Sequence, residues 1–407
     1  MDNLSAQCQA AHATAFENPD ALAVAPTTWL LLGEHTEAYG GITLASGLDY
    51  EVAVAISPRS DHQLLVQETW AGSSTTSQCS YNDADQVYSS PGSLTTPVST
   101  ALRAAMIVYA LNFRQILHHL KHGLNITILS DVRPDAGIGT QAAADVALAL
   151  ALVSGLDHSE DAPLRAKIAD ACYQVSKIVD TPMQPRCRFT ATLRGRAEHL
   201  MLIDDIDDSV KYVPNRLTRG STAPTLYLMS LPDTAQADDL EPRATFFQQA
   251  ATAFAADSLR QLPDATTRVM AWLQANHEVR GPKGFVALQD AENWLGFAQQ
   301  EISRVFEAER ALNSRGNRSM FQILNESQRD LGQYFGIGAR QAALAELACT
   351  WQALAARANY AGVGDTVLAL VDHDSVPEFL QQARAAKIAV LPVELGGTAR
   401  SYNVAAK

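Results

Sequence analysis

The feature that most constrains this chain is a short apolar strand that enters a glycine turn and leaves it as a helix. Residues 126–153 have the sequence ITILSDVRPDAGIGTQAAADVALALALV. The helical part is apolar on nearly every face, so it must be buried in a core. Strands and helices alternate in both halves of the chain, which predicts an α/β (α+β) fold. At 407 residues, 47% of them hydrophobic, the chain predicts two domains, residues 1–212 and 213–407.

The glycine turn has chemistry suited to an anion. Gly137 and Gly139 would let backbone N–H groups approach a phosphate closely, and the helix N-terminus adds partial positive charge. Thr140 could cap the helix or contact a metal ion on a phosphate. The lysine of a Walker A loop is missing. Two interpretations stay open, a phosphate-binding turn and an ordinary strand–helix turn with a threonine cap.

Two further segments combine a strand with a turn that needs special backbone conformations. Residues 25–41, APTTWLLLGEHTEAYGG, predict a buried strand, a tight charged turn and a Gly-Gly exit. Residues 360–371, YAGVGDTVLALV, predict a glycine turn that leads directly into a strand. Neither segment alone indicates a function.

Taken together and in order, the three segments resemble the three motifs of the GHMP small-molecule kinases, and specifically those of galactokinases. The first is similar to the family's APGRVNLIGEHTDYNGG, the second to GLGSSAA and the third to GAGFGGCTVALV. The residues that the first segment shares with the family are Gly33, Glu34, His35, Thr36 and Gly41. The resemblance implies a two-domain GHMP kinase fold. It comprises a ribosomal-S5-like N-terminal domain, a C-terminal GHMP domain and a ligand cleft between them.

By family, the expected activity is ATP-dependent phosphorylation of galactose at its C1 hydroxyl, with ATP and Mg²⁺ as cofactors. The matching positions for sugar contacts are Glu34, His35 and Glu37. The matching positions for the nucleotide and its phosphates are Gly137, Gly139, Thr140, Gln141, Gly362 and Gly364. Thr140 is also the candidate metal ligand.

The chain departs from the family at the positions that carry the chemistry. Thr28 stands where galactokinases have an arginine, and Arg188 stands where they have the aspartate that serves as base. Val175, or Ser176 if the alignment shifts by one, replaces the Mg²⁺-binding glutamate. A guanidinium stays protonated and cannot act as that base. The other carboxylates that could take over base or metal duty are Asp131, Asp135 and Glu37.

Losing even one such catalytic group typically slows an enzyme by roughly 10²–10⁴-fold. The sequence therefore predicts weak or absent kinase activity. The alternative is a non-catalytic sensor that binds sugar or nucleotide, or a pseudokinase that interacts with another protein. A net charge of −13 argues against nucleic acid or an anionic membrane as partner. No apolar segment approaches the roughly 20 residues of a membrane span. The N-terminus lacks the pattern of a signal peptide, so a cytoplasmic protein is expected; its oligomeric state stays open.

Three local predictions concern segments outside these motifs. Residues 71–100 contain many Ser and Thr together with Asn, Pro and Gly, which predicts an exposed loop or irregular segment. Residues 101–123 have helical periodicity with a glycine stop, which predicts one long helix. Residues 340–358 likewise predict a helix over their whole length.

Overall fold

The computed structural model describes residues 3–90, 94, 97–118, 120, 122–156, 158, 160–180, 182–220, 223–231, 237–314 and 317–404. The predicted mixed α/β fold is confirmed. The chain forms two compact units. The first comprises Met1–Thr28, Gly47–Ala197 and Leu395–Lys407, and the second comprises Trp29–Ser46 and Glu198–Glu394. The division at residues 212 and 213 stays a prediction about independently folding domains.

The first unit is built on a sheet in which parallel and antiparallel pairs are mixed. Its strand order is β12–β1–β2–β5–β3–β4. Strand β5 runs antiparallel to β2 and parallel to β3, and β3 runs antiparallel to β4. The strands are β1 (Ala21–Leu32), β2 (Ile42–Arg59), β3 (Gln63–Trp70), β4 (Ser73–Ser80), β5 (Gly123–Ser130) and β12 (Arg400–Asn403).

The first unit contains several helices, and one of them is buried over almost its whole length. These helices are α1 (Asn3–Ala15), α2 (Tyr81–Ser89), α3 (Thr100–Phe113), α4 (Thr140–Val153), α5 (Ala162–Val179) and α6 (Arg186–Arg194). Helix α4 packs against α3, α5 and α6, which confirms the helix predicted from its all-round apolar sequence. Its many alanines are the best helix formers and let neighbouring helices approach closely.

The predicted loop at residues 71–100 is wrong for most of its length. Residues 73–80 form β4, which pairs with β3 from Gln63↔Ser80 to Trp70↔Ser73. Helix α2 then begins because the Asp83 carboxylate accepts hydrogen bonds from the backbone N–H and the hydroxyl of Ser80. Residues 91–93, 95 and 96 of the predicted loop lie outside the described part of the chain.

Two predicted helices are too long. Helix α3 ends at Phe113, and Gln115 adopts a positive φ of 57°, which ends the helical path well before Gly123. Helix α11 (Ala339–Thr350) ends at Thr350, and β9 (Ala353–Ala358) occupies the rest of the predicted helix because it pairs with β10.

The second unit contains an antiparallel sheet with the order β11–β8–β10–β9. Strand β6 (His199–Asp204) separately pairs with residues 42–45 of β2 and with β7 (Val210–Pro214). The other strands are β8 (Thr225–Ser230), β10 (Thr366–Val371) and β11 (Ala389–Val393).

The helices of the second unit include the longest one described, α9. They are α7 (Glu241–Ala253), α8 (Ala265–Arg280), α9 (Leu288–Asn313), α10 (Asn317–Asp330), α11 and α12 (Val376–Ala385). A π-helical segment, Leu331–Phe335, continues α10. Within the residues described above, no helix is long and apolar enough to cross a membrane.

Candidate functional site

The glycine turn between β5 and α4 has the backbone geometry that its sequence predicts. Gly137 and Gly139 have φ values of 78° and 73°, in the left-handed region that favours glycine. A Cβ atom on Gly139 would lie 2.7 Å from Nη1 of Arg188 and 2.9 Å from Oγ1 of Thr28. Backbone conformation and close packing therefore both require glycine at position 139.

Thr140 is the first residue of α4, and Gly139 is the N-cap residue. The prediction that Thr140 caps the helix is therefore wrong. Its side chain is fully buried, and Oγ1 has no hydrogen-bond partner among the described residues. Gln141 donates from Nε2 to Oδ1 of Asp145 at 3.2 Å. The turn thus presents a helix N-terminus with one buried hydroxyl left unsatisfied, and the metal role of Thr140 stays a prediction.

Arg188 anchors this turn. Helix α6 places the side chain where it is fully buried, and Nη1 donates to Oγ1 of Thr28 at 3.0 Å and to the Thr28 carbonyl at 3.3 Å. Nη2 donates to the Gly137 carbonyl at 2.8 Å. The backbone N–H of Thr28 also donates to the Ile138 carbonyl at 2.8 Å. Two of the positions that depart from the kinase pattern are therefore bonded to each other and to the turn.

Two residues, Val175 and Ser176, could align with the family's metal-binding glutamate. Both have other contacts in the structure. Val175 is fully buried in the apolar core of the first unit. Ser176 donates from Oγ to Oδ2 of Asp180 at 2.6 Å and accepts the backbone N–H of Gln184 at 3.1 Å. Neither residue supplies a carboxylate.

One carboxylate of α4 and one at the end of α5 bind the same guanidinium. Arg103 donates to both oxygens of Asp145 at 2.7 and 2.6 Å, and to Oδ1 of Asp180 at 2.5 Å. Burial raises the pKa of the Asp145 carboxyl, although the charge of Arg103 opposes this. Across the described residues, no group of three or more His, Cys, Asp or Glu side chains could hold a metal ion.

In the second unit, Glu34 links the first motif to the third. Its side chain is fully buried, and Oε1 accepts from Nη1 of Arg357 at 2.5 Å. Oε2 accepts from the backbone N–H of Tyr360 at 2.6 Å. Both carboxylate oxygens are therefore already occupied by protein donors, and the sugar-binding role of Glu34 stays a prediction.

Glu34 belongs to a larger buried ion network that sequence reasoning missed. Nη2 of Arg357 lies 3.5 Å from the carboxylate of Glu301, which also accepts from the backbone N–H of Gly33 at 3.0 Å. Ser327 donates to both oxygens of Glu301 at 2.7 and 2.8 Å. Arg357 and Glu301 have no local pattern that marks them, since their partnership depends on tertiary packing.

His35 is held between two aromatic rings. Its ring centroid lies 5.1 Å from that of Tyr360 and 5.7 Å from that of Phe335, with nearly parallel planes in the first pair. Nε2 donates to the carbonyl of Ala361 at 3.0 Å. Burial lowers the pKa of His35 to about 4, so the ring is neutral near pH 7.

Glu37 starts a single turn of 3₁₀ helix, Glu37–Tyr39, and lies near other carboxylates. Burial, and then the charge of Glu37, raise the pKa of Asp205 well above its usual range. The backbone N–H of Asp205 donates to the Gly41 carbonyl at 3.1 Å, while Arg260 holds the neighbouring Asp204 at 2.5 Å. The carboxylate expected at position 37 is thus present in an acidic environment.

The third motif is packed against another carboxylate. Gly362 has a φ of 79°, and a Cβ there would lie 2.8 Å from Oδ2 of Asp238. The Asp238 backbone N–H donates to the Gly362 carbonyl at 2.6 Å, and the Gly364 carbonyl accepts from the side chain of Gln341. A carboxylate against a glycine turn is unfavourable for a phosphate. The nucleotide roles of Gly362 and Gly364 stay predictions.

Comparisons with known proteins agree with this description. A family model described as the galactokinase galactose-binding signature matches residues 10–58. A curated protein of Treponema pallidum (strain Nichols) named "Putative galactokinase" is 32% identical over 139 residues. The aligned segment spans 33% of this chain and 31% of that relative, about a third of each.

Solved structures show the same fold over nearly the whole chain. The structure of Lactococcus lactis galactokinase complexed with galactose matches with a TM-score of 0.73 and 16% identity. This match covers 97% of this chain and 99% of that chain. Methanococcus jannaschii mevalonate kinase matches with a TM-score of 0.62 and 14% identity, over 92% of this chain and 98% of that one.

The fold is therefore that of the GHMP kinases. Within that class, this chain is similar to galactokinases in the signature over residues 10–58 and in the segment matched by the curated relative.

Proposed function

We propose that this protein is a galactokinase-like protein that has lost most or all phosphoryl transfer and acts as a non-catalytic ligand-binding protein. Its ligand would be a sugar, a nucleotide or both, at the sites that the three motifs define. The observation that supports this most directly is the hydrogen bond of 3.0 Å between Arg188 and Thr28.

The Arg188–Thr28 contact is incompatible with the family's chemistry. A base must accept a proton from the sugar hydroxyl, and a guanidinium has no site to accept it. Thr28 has no charge with which to stabilise a transferring phosphoryl group, which is mainly an electrostatic task. Arg188 is instead committed to the Gly137 carbonyl and to Thr28, where it stabilises the turn.

The residues present fit the phosphates of a nucleotide better than they fit its metal ion. Gly137, Gly139, Thr140 and Gln141 would hold an anion, because the N-terminus of α4 supplies unpaired N–H groups and the Thr140 hydroxyl has no described partner. Mg²⁺ does not fit, because the glutamate position is Val175 or Ser176. Asp145 and Asp180 are in turn bound to Arg103.

A coupled assay with galactose, ATP and Mg²⁺ tests the proposal directly. We expect no turnover above background, because the base, the arginine and the metal carboxylate are all absent. Turnover in the range of roughly 1–100 s⁻¹ that is usual for kinases would refute the proposal. Titration calorimetry with galactose and with ATP, each with Mg²⁺ or with EDTA, then identifies the ligand. We expect any ATP binding to be insensitive to EDTA.

A restored variant provides the matched comparison. Thr28→Arg, Arg188→Asp and Val175→Glu together return the family's residues to all three positions, with Ser176→Glu in place of Val175→Glu for the alignment shifted by one. We expect this triple variant to gain turnover over the parent protein, while each ligand affinity changes less. The single variant Thr28→Arg is the control, because it places a second guanidinium beside Arg188 without supplying a base, and it should stay inactive.

A further inference from the structure

Tyr360 occupies the first position of the third motif, where the galactokinase pattern GAGFGGCTVALV has a glycine. Its backbone has a conformation that favours glycine, with a φ of 59°. Left-handed backbone is uncommon for a residue with a bulky side chain and is strained there. The side chain is only 3% exposed, so it fills space inside the second unit that a glycine would leave open. Strain of this kind persists only where the surroundings impose it, and it occurs often at ligand sites.

The ring of Tyr360 covers His35 of the first motif. The two rings stack with their centroids 5.1 Å apart and their planes inclined by 12°. Phe335 also stacks on the imidazole, with centroids 5.7 Å apart, and Nε2 binds the Ala361 carbonyl at 3.0 Å. Only 8% of His35 is exposed. The imidazole therefore has little surface left for a ligand.

Glu34, the neighbouring residue of the first motif, is also enclosed by protein groups. It is 1% exposed, and its carboxylate accepts from Nη1 of Arg357 and from the backbone N–H of Tyr360. Binding sites orient a polar ligand through a few polar groups that the ligand can reach. Of the three positions expected to contact a sugar, Glu34 and His35 are thus buried, and Glu37 is half-buried.

We propose that Tyr360 is a specificity-determining residue, whose ring closes the sugar position of the first motif against free galactose. This inference rests on the proposed function and narrows its ligand to the nucleotide. The galactose-binding signature covers residues 10–58, so it reports on the first motif and not on position 360. The phosphate position at Gly137 and Gly139 belongs to the first unit and does not include Tyr360.

The test compares galactose binding by the parent protein and by Tyr360→Gly, measured by titration calorimetry on the full chain. Glycine adopts left-handed backbone without strain, and it removes the ring. We expect no measurable galactose binding by the parent protein. The variant should bind galactose with an association constant at least about tenfold above the upper limit for the parent protein. Its ATP affinity should not change.

Three further variants separate the effect of the ring from other effects. Tyr360→Phe keeps the ring and should still exclude galactose. Tyr360→Asn replaces the ring with a small side chain that tolerates left-handed backbone, so it should bind galactose even if Tyr360→Gly folds poorly. Lys387→Gly is the matched backbone control, because Lys387 is exposed and has a φ of 58° in the same unit. It should not bind galactose.

The imidazole of His35 provides a second readout that does not depend on galactose. Burial lowers the pKa of His35 to about 4, and removal of the covering ring should move this pKa towards 6.5. NMR titration of the histidine ring protons should show this change in Tyr360→Gly and not in Tyr360→Phe.

Two results would overturn the inference. They are galactose binding by the parent protein as tight as that by Tyr360→Gly, and a folded Tyr360→Gly variant that gains no galactose binding. If the parent protein binds galactose without turnover, the proposed non-catalytic function stands and only the role of Tyr360 is refuted. If the parent protein does not bind ATP, the proposed nucleotide ligand is refuted, while a gain of galactose binding in Tyr360→Gly would still show that the ring closes the sugar position.

Discussion

Replacing Arg357 by methionine should cost the second unit roughly 3–5 kcal/mol in free energy of unfolding, as expected when one partner of a buried ion pair is removed. Arg357 and Glu34 both have fully buried side chains, and their charged groups are 2.5 Å apart. Methionine has a similar length but leaves the Glu34 carboxylate buried, with the Tyr360 N–H as its remaining donor among the described residues. Unpaired charge, not a cavity, is therefore the source of the loss.

The structure indicates which carboxylate loses most of its stabilising contacts when Arg357 is replaced. Glu301 loses the contact of 3.5 Å to Arg357, but it keeps Arg304 at 3.2 Å, Ser327 and the Gly33 N–H. Among the described residues, Glu34 has no second ion-pair partner of this kind. A loss of 3–5 kcal/mol corresponds to an increase of about 10²- to 10⁴-fold in the unfolded population.

Urea unfolding followed by tryptophan fluorescence measures this change. Of the five tryptophans, Trp29, Trp272, Trp294 and Trp351 lie in the second unit, so the signal reports mainly on that unit. Arg219→Met is the matched control. Its ion pair with Glu198 is 2.7 Å long, but the side chains are 47% and 65% exposed. An exposed pair of this kind contributes at most about 1 kcal/mol.

A loss below about 1.5 kcal/mol for Arg357→Met, close to that of the control, would refute this reasoning, because the buried-pair range begins at about 3 kcal/mol. It would mean that other groups compensate the charge of Glu34.

Three further predictions address other buried groups. Burial lowers the pKa of His35 from 6.5 to about 4. Between about pH 6.5 and pH 4, the unfolded chain therefore binds a proton at His35 that the folded chain does not bind. His35 therefore accounts for a loss of about 2 kcal/mol between pH 7 and 5, which His35→Asn should remove from the urea-unfolding profile. Gly139→Ala should lower the stability of the first unit by about 1–3 kcal/mol in thermal unfolding. Gly155→Ala, where a Cβ meets nothing within 4 Å, should change it by less than about 0.5 kcal/mol. Arg103→Met should cost about 3–5 kcal/mol at pH 7 and less at pH 4, where Asp145 can take up a proton, as urea unfolding at both pH values would show.

The sequence predicted those parts of the fold that depend on neighbours along the chain. The strand, glycine turn and helix of residues 126–153 are encoded locally, because the apolar runs and the glycines with positive φ are adjacent. The Ser- and Thr-rich residues 73–80 appeared to be a loop, since they lack apolar alternation. They form a strand because β3 offers hydrogen bonds along its whole edge, and no local pattern contains that information.

The partners of buried charged residues could not be predicted from the sequence either. Glu34 was identified from its motif, but its binding to Arg357 joins residues 323 positions apart. The helix predicted to continue through residue 358 is too long for the same reason, because contacts with residues distant in the sequence decide the structure. Residues 353–358 have acceptable helix propensity, yet pairing with β10 decides their conformation.

Thr28 and Arg188 illustrate how two residues that depart from the family's pattern can still bind to each other and to the glycine turn. By resemblance, the family has an arginine at position 28 and an aspartate at position 188, while this chain has a neutral residue at the first and the guanidinium at the second. The two residues, 160 positions apart, are still hydrogen-bonded, and the same guanidinium also binds the Gly137 carbonyl. The guanidinium of Arg188 therefore stabilises the glycine turn in this chain. Catalysis is more demanding, because the guanidinium at position 188 cannot accept the proton. Sequence motifs that report on the turn can thus be present in a chain that departs from the family's pattern at Thr28 and Arg188.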